Sequence, residues 1–226
     1  QNAILTAAMR VNAPVVIGEN LYMYGDTDGA PLTEDLPYRA KTRKGKVRGQ
    51  MALDALKMHR DGKVRVVIGR ASDFFGPGVR ASAMGERVFI PALNGKSASL
   101  LGNIDLPHTF SYIGDVGKAL VMLGEHEETY GEAWHLPSAP AVSQRAMAEL
   151  IFSQIGTKPK IRSAGKWMMA LAGLFVPAAK EIVEMMYEFE KPFVMDSSKF
   201  ERRFNVTATK TDIAIRNTIE WYHHHK

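Results

Sequence analysis

Residues 70–79 read RASDFFGPGV and follow directly on VRVVIG, a short β-branched run that reads as a buried strand. A plain connection needs only turn residues. This exit places a guanidinium, a carboxylate and two aromatic rings at one strand end, and in open α/β sheets the carboxyl ends of strands are where ligands bind. Arg70 reads as a brace for the loop and Asp73 as a polar group offered to a ligand or to its own turn. Gly76-Pro77-Gly78 reads as geometry, with φ fixed at the proline and free on either side. A second chemically marked region is basic. From Arg39 to Arg65 ten Lys or Arg stand against only Asp54 and Asp61. Such a segment attracts phosphate, a dinucleotide or nucleic acid, or it is a solvated helix face. No aromatic interleaving or nucleic-acid motif accompanies it, so no nucleic-acid partner is expected.

The elements that must position these groups alternate. AILTAAMRV reads as the end of a helix and PVVIGEN as a short buried strand. Gly25 to Pro37 is turn-rich. KGKVRGQMALDALKMHRDG carries Val47, Met51, Ala55 and Met58 at helical spacing, which predicts an amphipathic helix with that apolar face inward. VRVVIGR is a second strand of the kind buried on both faces in a parallel sheet, so strand, helix and strand make a right-handed βαβ unit. GVRASAMGERVF reads as helical; SASLLGN, HTFSYI, EAWHLP and PKIRS read as strands. Asp115 caps or opens the helix VGKALVMLGEH, Ser143 and Gly156 bound SQRAMAELIFSQIG, and Glu34 ends or caps the early loop. Helices are expected through AAKEIVEMMYEFE, with a short helix in DSSKFERRFN and a longer one in TKTDIAIRNTIEWYHHH. KWMMALAGLF and VEMMYEF belong to the later lobe, as lining of an apolar pocket or as plain core.

The 226 residues carry a formal charge of +5, 46% hydrophobic and 23% charged residues, and no cysteine. This is the composition of a soluble globular protein without disulfides or thiolate chemistry, which fits a cytoplasmic setting. The most apolar stretch, WMMALAGLFVPAA, is too short for a bilayer span and contains Pro177, so no membrane partner is expected. The terminal HHHK supports no metal reading. No glycine-rich phosphate-binding turn follows an early strand. The chain therefore reads as the later part of a doubly wound α/β protein: residues 1–80 as part of a Rossmann-like parallel sheet domain, and 81–226 as a smaller, mostly helical substrate lobe whose strands return to that sheet.

In order along the chain, VVIGENLYMYG, PLTEDLPY, a lysine-led helix, VVIGRASDFFGPGV, TFSYIGDVGKAL and EAWHLPS resemble the extended short-chain dehydrogenase/reductases, the group that includes the NAD-dependent epimerase/dehydratases. The likeness covers about residues 1–140 and continues weakly through DSSKFERRFN. It implies NAD or NADP as cofactor, a small-molecule substrate, and a homodimer paired through the helix from Lys44 to Arg60.

Carried over residue by residue, the resemblance puts Asn20 where the family has its catalytic Ser or Thr. Lys46 falls at the lysine that holds the nicotinamide ribose, and Thr42 at the catalytic Tyr. A phenol of pKa about 10 is drawn towards neutrality by an adjacent ammonium, whereas an aliphatic hydroxyl stays far too weak an acid. Thr42 would then only bond a substrate oxygen, and Tyr38 or Tyr22 would supply the proton. Ala71 and Ser72 would offer backbone groups to the carboxamide. Asp73 and Phe75 would face substrate together with Tyr22. His108 stands where nucleotide-sugar members carry an arginine for the diphosphate, which favours a small or moderately apolar carbonyl or alcohol. Two functions follow: an NAD(P)-dependent oxidoreductase or epimerase with an atypical site, or a catalytically silent dinucleotide-binding relative.

Overall fold

The computed structural model describes residues 1–165 and 183–225. Strands β1 (Val15–Glu19), β2 (Val66–Arg70) and β7 (Ala133–His135) form a three-stranded parallel sheet in the order β1-β2-β7. Its register runs Val15 with Val66 through Glu19 with Arg70, and Ile68 with Ala133. Strand alternation sends Val66 and Ile68 to one face, where they pack with Leu5 of α1 (Asn2–Arg10) and with Ala52 and Ala55 of α2 (Arg43–Arg60). Val67 goes to the other face, against Val116, Ala119 and Leu123 of α4 (Ile113–Glu125) and Phe200 of α7 (Ser198–Phe204). Helices on both faces make the unit doubly wound, and β7 brings a segment from beyond residue 80 into the same sheet.

A second core lies beside it. Phe89 of α3 (Glu86–Leu93), Phe152 of α5 (Gln144–Ile155) and Tyr222 of α8 (Thr211–His224) are buried together there with Phe75 of β3 (Asp73–Phe75). Short strand pairs frame this lobe. β3 pairs with β6 (Phe110–Tyr112), and β4 (Ala98–Leu101) with β9 (Ile161–Ala164), both parallel. β5 (Pro107–His108) pairs antiparallel with β8 (Val142–Ser143). As expected, Ser143 caps α5 by accepting from the Ala146 amide at 3.1 Å, and Gly156 ends it in the left-handed region. Of the helices expected through AAKEIVEMMYEFE, the described residues include α6 (Tyr187–Glu190). KWMMALAGLF lies outside the described residues.

Three expectations need correction. The helix in GVRASAMGERVF begins only at Glu86, because the Arg80 carbonyl accepts from both Ser82 and Glu86 amides and holds the preceding residues in turns. Asp115 opens α4 from its first turn, as one alternative had it, and the other alternative, a cap, is corrected: its carboxylate reaches across to Thr209, accepting from the amide and the hydroxyl at 2.7 Å each. The buried face of α2 is Gly45, Gly49, Ala52 and Ala55, while Val47 is exposed. Small residues at that spacing let the helix lie close to the chain beneath it: a Cβ on Gly45 would come within 2.5 Å of the Tyr22 carbonyl oxygen.

Candidate active-site crevice

The carboxyl ends of β1 and β2 open onto two hollows that share a wall. The larger, about 650 Å³, is lined by Tyr22, Lys44, Asp73, Phe74, Arg87 and Glu188 among others. The second, about 550 Å³, is lined by Asn20, Tyr22, Lys44, Arg48 and Met51 with their neighbours. Tyr22 and Lys44 belong to both. Tyr22 is delivered by the turn after β1, where the Asn20 side chain accepts from the Tyr22 amide at 3.2 Å. Lys44 sits in the first turn of α2, its amide donating to Glu184 Oε1 at 2.9 Å.

Lys46 is exposed and lines neither hollow. Two residues along a helix turn a side chain by about 200°, so when the Gly45–Gly49 seam faces the protein, Lys44 comes to the crevice and Lys46 to solvent. Thr42 is the N-cap of α2: its hydroxyl accepts from the Gly45 amide at 3.1 Å. That is a structural task, and Thr42 does not line the crevice. The signal that picks out Lys44 was the pair of glycines four apart, which marks the closely packed face.

Asp73 lies in the larger hollow and accepts from His108, whose Nε2 is 2.8 Å from Oδ2. His108 is itself buried, stacked on Phe189 and Phe193 with ring centroids 5.3 Å apart in each case. It stands behind Asp73 and lines neither hollow, which corrects its expected contact with substrate. Phe75 is likewise turned into the core beside Tyr112, and its neighbour Phe74 faces the hollow, as the alternation of a strand requires.

Tyr38 does not reach the crevice. Its phenol accepts from Arg70 Nη2, and its ring packs edge-on against Tyr24. Arg70 is fully buried and also donates to Tyr24 at 2.8 Å and Glu19 at 3.2 Å. The brace expected of Arg70 is therefore a buried network, and buried polar groups need such partners. Tyr24 passes the network on to His135 Nε2 at 2.8 Å, while Glu34 accepts from the His135 amide at 2.9 Å rather than capping its own loop. Burial, reinforced by the Arg70 charge, pushes the His135 pKa down to about 4.

The backbone amides of Ala71 and Ser72, expected to face a carboxamide, are already committed. Ala71 donates to the Glu19 carbonyl at 3.0 Å and Ser72 to Ser111 Oγ at 3.0 Å. Ser72 Oγ, by contrast, is buried at the end of β2 without a partner. Ser72 lines neither hollow, so the groups at the mouth of the sheet that fit the polar end of a nicotinamide nucleotide are Asn20 and the Lys44 ammonium.

Glu188 is the residue the sequence reading missed. It comes from α6, lies beside Asp73 in the same hollow and is 2% exposed. Burial raises its pKa well above the ordinary carboxyl value, the Asp73 charge adds to the rise, and the Tyr187 phenol and then Lys44 oppose it. The same surroundings raise Tyr22, through burial first and then the charges of Glu188 and Asp73. The available signal was a pair of glutamates, Glu184 and Glu188, inside the otherwise apolar run VEMMYEF.

Residues 2–136, more than half the chain, match the NAD dependent epimerase/dehydratase family. The chain belongs to that family. No curated protein matches it. Solved structures do. A dTDP-glucose 4,6-dehydratase from Bacillus anthracis in complex with NAD superposes with a TM-score of 0.76 at 15% identity, covering 100% of this chain and 66% of that one. A UDP-N-acetylglucosamine 4-epimerase from Methanobrevibacter ruminantium in complex with UDP-N-acetylmuramic acid gives 0.79 at 15%, covering 100% and 68%. RMD from Pseudomonas aeruginosa complexed with NADPH gives 0.73 at 14%, covering 97% and 70%. At these identities the likeness establishes the Rossmann fold. The chain spans just under two thirds of the first dehydratase's length. Among the described residues no helix is long and apolar enough to cross a membrane.

Proposed function

We propose that this chain carries the nicotinamide-facing and substrate-binding part of an NAD(P)-dependent oxidoreductase or epimerase acting on a carbonyl or alcohol of a small molecule. The observation that carries the reading is the meeting of the two hollows at Tyr22 and Lys44, at the carboxyl ends of β1 and β2. Lys44 takes the place expected of Lys46 and would hold the ribose; Asn20 would fix the polar end of the nicotinamide. The bound dinucleotide supplies and removes hydride. Tyr22 closes the wall between the hollows and orients substrate, and Asp73, held by His108, accepts a hydrogen bond from it. Phe74, Leu101, Met185 and Phe189 give the substrate hollow apolar sides, and Arg87 is among its polar lining. NAD and NADP both remain in keeping with the relatives, which are found with either. The exposed Leu53 of α2 suits the helix pairing of a homodimer, and the setting we assign is cytoplasmic.

One observation favours a second reading, a catalytically silent dinucleotide-binding relative. Thr42, at the position of the family tyrosine, spends its hydroxyl on the helix cap. Binding of NADH and NADPH to the complete protein, followed by a screen of carbonyl compounds for oxidation of the reduced nicotinamide, separates the two. Binding with turnover that Lys44→Ala abolishes supports the enzyme. Binding with no turnover across the screen supports the silent relative, and no binding of either nucleotide removes both.

A further inference from the structure

Glu188 is 2% exposed yet lines the substrate hollow, and its Oε1 has no hydrogen-bond partner. An unpaired buried carboxylate oxygen is expensive, and such exceptions in a well-packed protein call for a reason. The groups around it come from four places: Tyr22 from the turn after β1, Lys44 from α2, Asp73 from β3, and Tyr187 from α6 itself. Two carboxyl groups that face one hollow cannot both be charged cheaply, and the less solvated one takes the proton. Asp73 is the better satisfied, through His108. Glu188 is left as the carboxyl that stays neutral.

The hydroxyls expected from the sequence to give the proton are poorly placed for it. Tyr38 is tied to Arg70, Thr42 is a helix cap, and Tyr22 sits beside two carboxyl groups that oppose its ionisation. We propose that Glu188 is a catalytic residue: a protonated carboxyl that hydrogen-bonds the substrate oxygen and gives it a proton. This rests on the oxidoreductase reading above. In the reducing direction a bound reduced nicotinamide would supply hydride to the carbonyl carbon and would itself be oxidised. The C=O π bond opens onto oxygen, and that oxygen takes the proton from Glu188. The resulting Glu188 carboxylate faces the Lys44 ammonium until solvent restores the proton. Alcohol oxidation runs the same transfers backwards, with the carboxylate as base.

Infrared spectroscopy of the complete protein, grown with isotope-labelled glutamate, tests the stored proton. At neutral pH we expect a protonated-carboxyl band that shifts on glutamate labelling, disappears in Glu188→Gln and survives in Asp73→Asn. The labelled parent needs no variant to fold. With NADPH and phenanthrenequinone as a broad-acceptance carbonyl probe, Glu188→Gln should retain NADPH affinity and lose about 100-fold or more in turnover. A parent with no glutamate-sensitive band, a band that persists in Glu188→Gln, or a Glu188→Gln protein that reduces the probe at the parent's rate would each overturn the proposal. A parent that binds no NADPH counts against the oxidoreductase reading instead, and the infrared band still decides whether Glu188 stores the proton.

Discussion

His108 Nε2 lies 2.8 Å from Asp73 Oδ2, so a buried imidazole enclosed by phenylalanine rings holds a carboxylate at the edge of the crevice. The aromatic stack fixes the ring, and the ring fixes the carboxylate. His108→Phe keeps the packing and removes the donor, leaving Asp73 half-buried without its partner. Losing a hydrogen bond to a charged group costs roughly 1.5–3 kcal/mol. Urea unfolding should show that loss, and Asp73→Asn in the His108→Phe background should recover part of it.

Lys44 and Lys46 are two residues apart on α2 and meet different surroundings. If Lys44 holds the cofactor ribose, Lys44→Ala weakens NADH or NADPH binding by about tenfold or more, the worth of one charge-assisted contact. Lys46→Ala, on the solvent side, should leave the affinity close to the parent's. Fluorescence titration of reduced nicotinamide into the complete protein gives the comparison. Equal losses from both substitutions would count against the assignment.

His135 makes stability depend on pH. Its folded pKa, about 4, lies below the ordinary 6.5, so between those values the unfolded chain binds more protons. Its contribution is full above pH 6.5 and is lost as pH falls through the window, by roughly 3 kcal/mol. Glu188 and Glu19 act in the opposite sense, since burial raises both: their contributions are present below 4.5 and fade as pH rises through the raised values. The gain in stability on going from pH 4.5 to 7.5 should therefore be smaller, or turned into a loss, in His135→Gln relative to the parent. Glu188→Gln should gain stability against the parent at the higher pH only.

Gly45 allows the first turn of α2 to lie on the β1 loop. A Cβ there would stand 2.4 Å from Ala40 Cβ and 2.5 Å from the Tyr22 carbonyl oxygen. Gly45→Ala should destabilise by about 1–3 kcal/mol through overpacking and shift Lys44 and Tyr22 apart. Gly117 on α4 is the control, since a Cβ there meets nothing within 4 Å. Gly117→Ala should stabilise by up to about 1 kcal/mol through helix propensity. Thermal melts of the two variants should move in opposite directions.

Much of this architecture is readable from residue order. Apolar runs such as VVIG and VRVVIG, the caps Ser143 and Gly156, and the amphipathic pattern of α4 are local properties, and local properties place elements. Motif order along residues 1–140 pointed to the family that residues 2–136 match. The helix start at Glu86 escaped because the competing bonds to the Arg80 carbonyl depend on how the turn folds back. What a linear reading cannot hold is rotational phase. Once the Gly45–Gly49 seam sets how α2 turns, Lys44 faces the crevice and Lys46 the solvent. Tyr38 was likewise drawn off by Arg70, whose full burial only the closed sheet reveals. Glu188 was brought beside Asp73 from the far end of the chain. By itself the sequence determined the strands, helices and family of this protein, because those follow from side-chain periodicity within a few residues. Only the tertiary structure decided which side chains share the crevice, because convergence of distant groups and the proton affinity it imposes arise from burial and charge after the chain has closed.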